Sequence, residues 1–233
     1  SDKVLAKQTY QTIISFNKTE YKAYSQLGVI AFLAKGYQEA EQLFTQSLAI
    51  DTNAYTLNDR GSCYRKMEQF DVAIQDYLAA IALNNNLAFV YNNLASVYAK
   101  QGETAKALSY YDLAISKDAD YTLAHNNKTS LLIENKEYEK AKHSIQKVLS
   151  INQEYAPFWN NRGVLNHQIK QYYQAIADFD KAIMLDDNYA KAYLNRGISK
   201  QMTRDEDGAC SDWKKANELG IMIAKKYLEN DCE

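Results

Sequence analysis

Asparagine is the side chain whose spacing points most directly to a working surface. Asn93, Asn127, Asn161 and Asn195 recur every 34 residues, with Gln26 and Asp59 at the same slot in two earlier copies. Asn58, Asn92, Asn126 and Asn160 form a second row one position before that slot. A primary amide carries a donor and an acceptor together, the complement of a peptide unit, so such a row can hold an extended backbone without selecting its side chains. The competing use of the same atoms is to bond a neighbouring repeat or to cap local backbone.

The arginines at Arg60, Arg162 and Arg196 could form a basic ladder for an acidic ligand. The sequence argues otherwise, because an Asp stands sixteen residues after each, at Asp76, Asp178 and Asp212. Copies with Leu27 or Leu94 in place of Arg carry Leu43 or Tyr110 in place of Asp, and Lys128 with Ser144 is a partial exception. Charge in both slots or in neither is the pattern of an ion pair joining two elements of one copy.

Other chemistry finds little support. The three His and three Cys have no zinc-ligand spacing. Gly-rich phosphate loops, paired-carboxylate clefts and nucleophile elbows are missing from the sequence. The expectation is a protein that is not an enzyme, with no cofactor and no metal. His125 reads as a core residue, His143 as surface, and Cys63 as a buried free thiol.

The elements that position these residues are helices. The chain has 233 residues, 27 Lys+Arg against 29 Asp+Glu, and 46% hydrophobic residues, values of an ordered chain with a sizeable core. A net charge of −2 offers no general attraction to nucleic acid or an anionic membrane. The longest apolar run, Leu27 to Ala34, is far shorter than the roughly 20 residues of a membrane span. One Pro and 8 Gly are too few for the turns of an all-β fold.

Ala40, Ala73, Ala107, Ala141, Ala175 and Ala209 are spaced by 33 and then 34 residues throughout. Four residues after each comes Phe44, Tyr77, Tyr111, Ile145, Phe179 or Trp213, and three further on Ser47, Ala80, Ala114, Val148, Ala182 or Ala216. That is one face of a helix. Twelve residues before each Ala lies a second small slot, Gly28, Gly61, Ala95, Thr129, Gly163 and Gly197. Tyr24, Leu57, Tyr91, Trp159 and Tyr193 precede it by four positions, with His125 the exception. Each unit therefore reads as two closely packed helices.

This pattern resembles the tetratricopeptide repeat, and Tyr91-Asn92-Asn93-Leu94-Ala95-Ser96-Val97-Tyr98 carries it almost whole. The resemblance covers repeats at 21–53, 54–87, 88–121, 122–155, 156–189 and 190–221. It departs from the family at the end of the second helix, where Asp51, Asn84, Asp118, Asn152 and Asp186 replace the usual Pro. Ala6, Tyr10, Ile13 and Asn17 fall on second-helix slots, so 3–17 is expected to be half of a further repeat in a longer array. Residues 222–231 should form a capping helix. If that helix folds back at Gly220, Cys210 and Cys232 end within about 3 Å of the same height, within reach of a disulfide. A disulfide would favour an extracytoplasmic compartment, and free thiols the cytoplasm.

The resemblance implies an all-α, right-handed α-solenoid, a single superhelix over 1–233, whose first helices line a concave groove. Asn58, Asp59, Asn92, Asn93, Asn126, Asn127, Asn160, Asn161 and Asn195, with Arg65, Lys66 and Lys100, are then the expected peptide-binding residues. The Asn row is similar to the asparagine ladder of the O-GlcNAc transferase superhelix, which holds a peptide by its backbone. Val29, Phe32 and Leu33 make the first repeat's groove face apolar, and Arg65, Lys66 and Lys100 the next two basic. Ile133 and Glu134, then His167 and Gln168, make the later ones mixed. An apolar residue followed by an acidic one would suit the N-terminal half. The Lys and Asn set of the two-carboxylate chaperone clamp is missing. The expected function is an interaction scaffold binding a peptide segment or a partner's helix. The alternatives are the substrate-recruiting part of a larger enzyme such as a glycosyltransferase, and an architectural, self-assembling protein.

Overall fold

The computed structural model describes residues 2–232. Among the described residues all the regular structure is helical: α1 (Asp2–Phe16), α2 (Tyr21–Leu33), α3 (Tyr37–Ile50), α4 (Ala54–Lys66), α5 (Phe70–Leu83), α6 (Ala88–Lys100) and α7 (Thr104–Lys117), then α8 (Thr122–Glu134), α9 (Tyr138–Ile151), α10 (Ala156–Gln168), α11 (Tyr172–Leu185), α12 (Ala190–Met202), α13 (Glu206–Glu218) and α14 (Ala224–Asp231). The chain forms two compact units, Ser1–Ala124 and His125–Glu233.

In the first unit α2 pairs with α3, α4 with α5 and α6 with α7, while α1 packs on α2 and α3 and α5 pack on the helix that follows each. In the second, α10 pairs with α11 and α12 with α13, α11 packs on α12, and α14 closes over α13. The pairing follows from the two small slots. Ala40, Ala73, Ala107, Ala141 and Ala175 are wholly buried. A Cβ added at Gly163 would stand 2.6 Å from the Phe179 ring, and one at Gly197 2.5 Å from Nε1 of Trp213. The large side chains Phe44, Tyr77, Phe179 and Trp213 are buried in the space so created, each adding about 2–3 kcal/mol of apolar transfer. Hydroxyls tie the pairs as well: Ser62 Oγ lies 3.1 Å from Tyr77 Oη, Ser96 Oγ 3.2 Å from Tyr111 Oη, and Thr129 Oγ1 2.6 Å from Ser144 Oγ.

The turn inside each pair places one residue at positive φ: Lys35, Glu68, Gly102, Lys136, Lys170 and Arg204, with φ from 60° to 78°. The turn between pairs is made by the residues standing where Pro is usual. Asp51, Asn84, Asp118, Asn152 and Asp186 are extended C-caps whose backbone N–H still reaches back four residues. The side chains of Asn84, Asp118, Asn152 and Asp186 accept from the backbone N–H two residues on, at 2.8–3.1 Å. Each is an Asx turn, which ends a helix without Pro.

Cys210 and Cys232 are joined in a disulfide, with Cα atoms 5.8 Å apart, linking α13 to the end of α14. Tyr227 of α14 stacks on Trp213 at 4.8 Å and Ala224 is wholly buried. Cys63 is a buried free thiol, and burial pushes it up to about 12, which removes it from thiolate chemistry.

Candidate functional site

The three Arg–Asp pairs bridge the first and second helices of their repeats. Arg60 meets Asp76 with both Nε and Nη2, at 2.8 and 2.7 Å, and that bonding raises its pKa despite burial. Arg162 bonds Asp178 through Nε at 2.9 Å and also through Nη2, and Asn166 Nδ2 donates to the other carboxylate oxygen at 2.7 Å. Arg196 grips Asp212 at 2.8 and 2.5 Å and reaches Asp180 at 2.6 Å, while Lys200 adds a contact to Asp212 at 3.0 Å. Burial opposes the Arg196 charge, but these bonds outweigh it and raise its pKa. All three carboxylates are buried and fully engaged, so they offer a ligand nothing.

The asparagines bond one another from repeat to repeat. Asn93 Nδ2 donates to Asn58 Oδ1 at 2.8 Å, Asn161 Nδ2 to Asn126 Oδ1 at 2.9 Å, and Asn195 Nδ2 to Asn160 Oδ1 at 3.0 Å. Asn58, Asn92, Asn160 and Asn161 are buried, whereas Asn93, Asn126, Asn127 and Asn195 keep part of their surface. Each bridging amide spends a donor on its neighbour and keeps its own Oδ1. The donor and acceptor together, which the sequence offers a peptide, are thus divided between structure and surface.

Asp59 occupies the ladder slot without an N–H to give. It accepts instead from Asn58 Nδ2 at 3.1 Å, and burial raises its carboxyl pKa. It lines a cavity of about 200 Å³ with Val29, Phe32, Phe44, Ser62 and Arg65. The second unit carries a cavity of the same size at the matching positions, lined by Val164, His167, Gln168, Phe179, Asn195 and Ile198. In both, a Val and a Phe form the floor and the ladder residue forms a wall. His167 Nδ1 lies 2.9 Å from Ser199 Oγ, and burial lowers its pKa. Lys66 and Lys100 are exposed near the ends of α4 and α6, as is Leu33 at the end of α2, whereas Ile133 is buried. A larger hollow of about 470 Å³ lies between α1 and α2, with a surface Lys7–Glu39 pair at 3.4 Å among its lining residues.

Tyrosines at helix starts, Tyr55 among them, are explained as well by packing between repeats as by binding, and one such contact is present. Tyr55 and Phe89, at the starts of α4 and α6, stack with ring centroids 6.0 Å apart, and Tyr55 is 59% exposed. Their 34-residue spacing, continued by Leu123, was the available signal. Among the described residues no group of three His, Cys, Asp or Glu could hold a metal ion, and no helix is long and apolar enough to cross a membrane.

Family models described as tetratricopeptide repeat match residues 90–120, 124–155 and 156–189, and one described as TPR repeat matches 61–102. The chain is a tetratricopeptide repeat protein. Its fold is similar to that of a tetratricopeptide repeat protein from Parabacteroides merdae, with 20% identity, a TM-score of 0.83 and coverage of 98% of this chain and 91% of that one. It is similar also to pilF of Pseudomonas aeruginosa, at 19% identity and a TM-score of 0.72 over 90% of this chain and 96% of that one. A third likeness is to YrrB, described as a TPR protein with an unusual peptide-binding site, at 19% identity and a TM-score of 0.57 over 78% and 95% of the two chains. No curated protein sequence matches the chain. Tetratricopeptide repeat proteins are in general non-catalytic protein–protein interaction scaffolds.

Proposed function

We propose that this tetratricopeptide repeat protein binds an extended segment of a protein partner along its first-helix face, in the concave groove that the family builds there. The observation that carries the reading is the repeated cavity: in both units the ladder slot, Asp59 or Asn195, forms one wall of a hollow floored by Val and Phe. Such a hollow takes a ligand side chain, and the ladder beside it holds backbone. The amides act as acceptors here. Asn93 and Asn195 have their Nδ2 committed to the neighbouring repeat, so their Oδ1 atoms are what they present to a peptide N–H. Asn127 stands at the same slot of its own repeat. Arg65, Lys66 and Lys100 favour an acidic residue in the segment. The disulfide between Cys210 and Cys232 supports an oxidising compartment for this encounter.

Selection of binders from a displayed random peptide library, followed by calorimetric titration, tests the proposal. A groove ligand should lose about tenfold or more in affinity on Asn127→Ala combined with Asn195→Ala, as expected when buried backbone groups lose their partners. Binding unchanged by that pair removes the ladder from the mechanism.

A further inference from the structure

The cavity of the first unit differs from its counterpart in charge. At the ladder slot the repeats built around α6, α10 and α12 carry Asn, and each of those asparagines bonds the repeat before it. The repeat built around α4 carries Asp59, a carboxylate that burial penalises and that no cation among the described residues approaches within ion-pair distance. Its Oδ1 takes the Asn58 amide, and its Oδ2 has no hydrogen-bond partner among the described residues. Arg65 lines the same cavity; its Nε is buried without a hydrogen-bond partner, while its guanidinium also interacts with the Tyr77 hydroxyl. No carboxylate among the described residues pairs with Arg65, Asp59 included.

A protein gains little in stability from an acid and a base that face one hollow, each without a partner of opposite charge. The arrangement has the form of a site that awaits both partners. Six residues separate the two on α4, a rise of about 9 Å, which is close to three residues of extended chain. Val29, Phe32 and Phe44 line the same cavity. In the second unit the same floor, Val164 and Phe179, is walled by the neutral Asn195 and Ile198.

We propose that the cavity between α2, α3 and α4 selects a peptide segment in which an apolar side chain lies between a basic and an acidic residue about three positions apart. The apolar side chain sits on Val29, Phe32 and Phe44, the basic residue meets Asp59, and the acidic residue meets Arg65. This rests on the groove-binding reading above and adds a charge pattern to it. The matching cavity of the second unit takes a neutral residue.

The test uses the full chain and capped ten-residue peptides of one host sequence. One carries Lys-Leu-Ser-Glu at its centre, a second the reverse order Glu-Ser-Leu-Lys, and a third the neutral Gln-Leu-Ser-Gln. One of the two charged peptides should bind about tenfold more tightly than the neutral one, the worth of charged hydrogen bonds made in a dry site. Asp59→Asn, which installs the residue found at this slot in other repeats and so should fold, should abolish the advantage of the Lys alone. Arg65→Gln should abolish that of the Glu alone. If the neutral peptide binds as well as both charged ones, or Asp59→Asn leaves the preference intact, the charge pattern is wrong while groove binding stands. If no peptide binds at all, both readings fall.

Discussion

Asn161 and Asn126 stand thirty-five residues apart in sequence, and the Nδ2 of the first donates to both the Oδ1 and the backbone oxygen of the second, at 2.9 and 3.2 Å. The bond ties the first helices of consecutive repeats directly, without passing through the second helix between them. Asn161→Ala should therefore lower stability by about 1 kcal/mol, the net worth of a part-buried hydrogen bond between repeats. The same substitution at exposed Asn135 should do almost nothing. Urea unfolding of the two variants checks the difference.

The Arg196–Asp212 pair is the most enclosed of the three ion pairs, with side-chain exposures of 18% and 4%. Asp212→Ala leaves Arg196 with only the more exposed Asp180 and takes the carboxylate from Lys200, and a loss of about 3 kcal/mol is expected. Removing Arg196 as well should recover part of that loss. A double-mutant cycle read by thermal unfolding checks it, and an additive result would show that the two side chains do not depend on each other.

Asp59 should work against stability at neutral pH. Its folded pKa is raised by burial above the ordinary value of 3.8. The carboxyl thus contributes fully below that value, and the contribution is lost as pH rises through the folded pKa. Asp59→Asn is expected to raise the melting temperature at pH 7 and to leave it unchanged at pH 3. Melting curves across that range test the sign.

Reducing the Cys210–Cys232 disulfide should loosen α14. It closes a loop with a sequence separation of 22, so the chain-entropy estimate of its contribution is about 3 kcal/mol. Adding a dithiol reductant, or substituting Cys210→Ser, should release Tyr227 from Trp213 and change tryptophan fluorescence. The rest of the helical signal should survive, because α13 keeps its own pairing with α12.

Much of this architecture was legible before any coordinates. The Ala and Gly slots twelve residues apart announce two helices in close contact, since only a missing or minimal Cβ lets Phe179 or Trp213 lie against the partner backbone. The Arg and Asp slots were readable because they vary together from copy to copy. Two things were not. Helical periodicity tells which face an asparagine occupies but not what the next repeat brings to that face, so bonding between repeats, as of Asn93 with Asn58 and of Asn195 with Asn160, stayed one of two open uses of the row. The positive φ at Lys35, Glu68, Lys136, Lys170 and Arg204 is set by the turn rather than by residue type, and those residues carry no local mark of it.

The most direct test of groove binding is a titration of isotopically labelled protein with a peptide selected for affinity, followed through the side-chain amide resonances of the asparagines. The account predicts that the ladder amides of the occupied unit shift on binding, Asn93 in the first or Asn127 and Asn195 in the second, with the backbone amides of α4 or α12 around its cavity. Tight binding that leaves those amides unmoved, with shifts confined to the second helices α5, α7, α11 and α13, would contradict it.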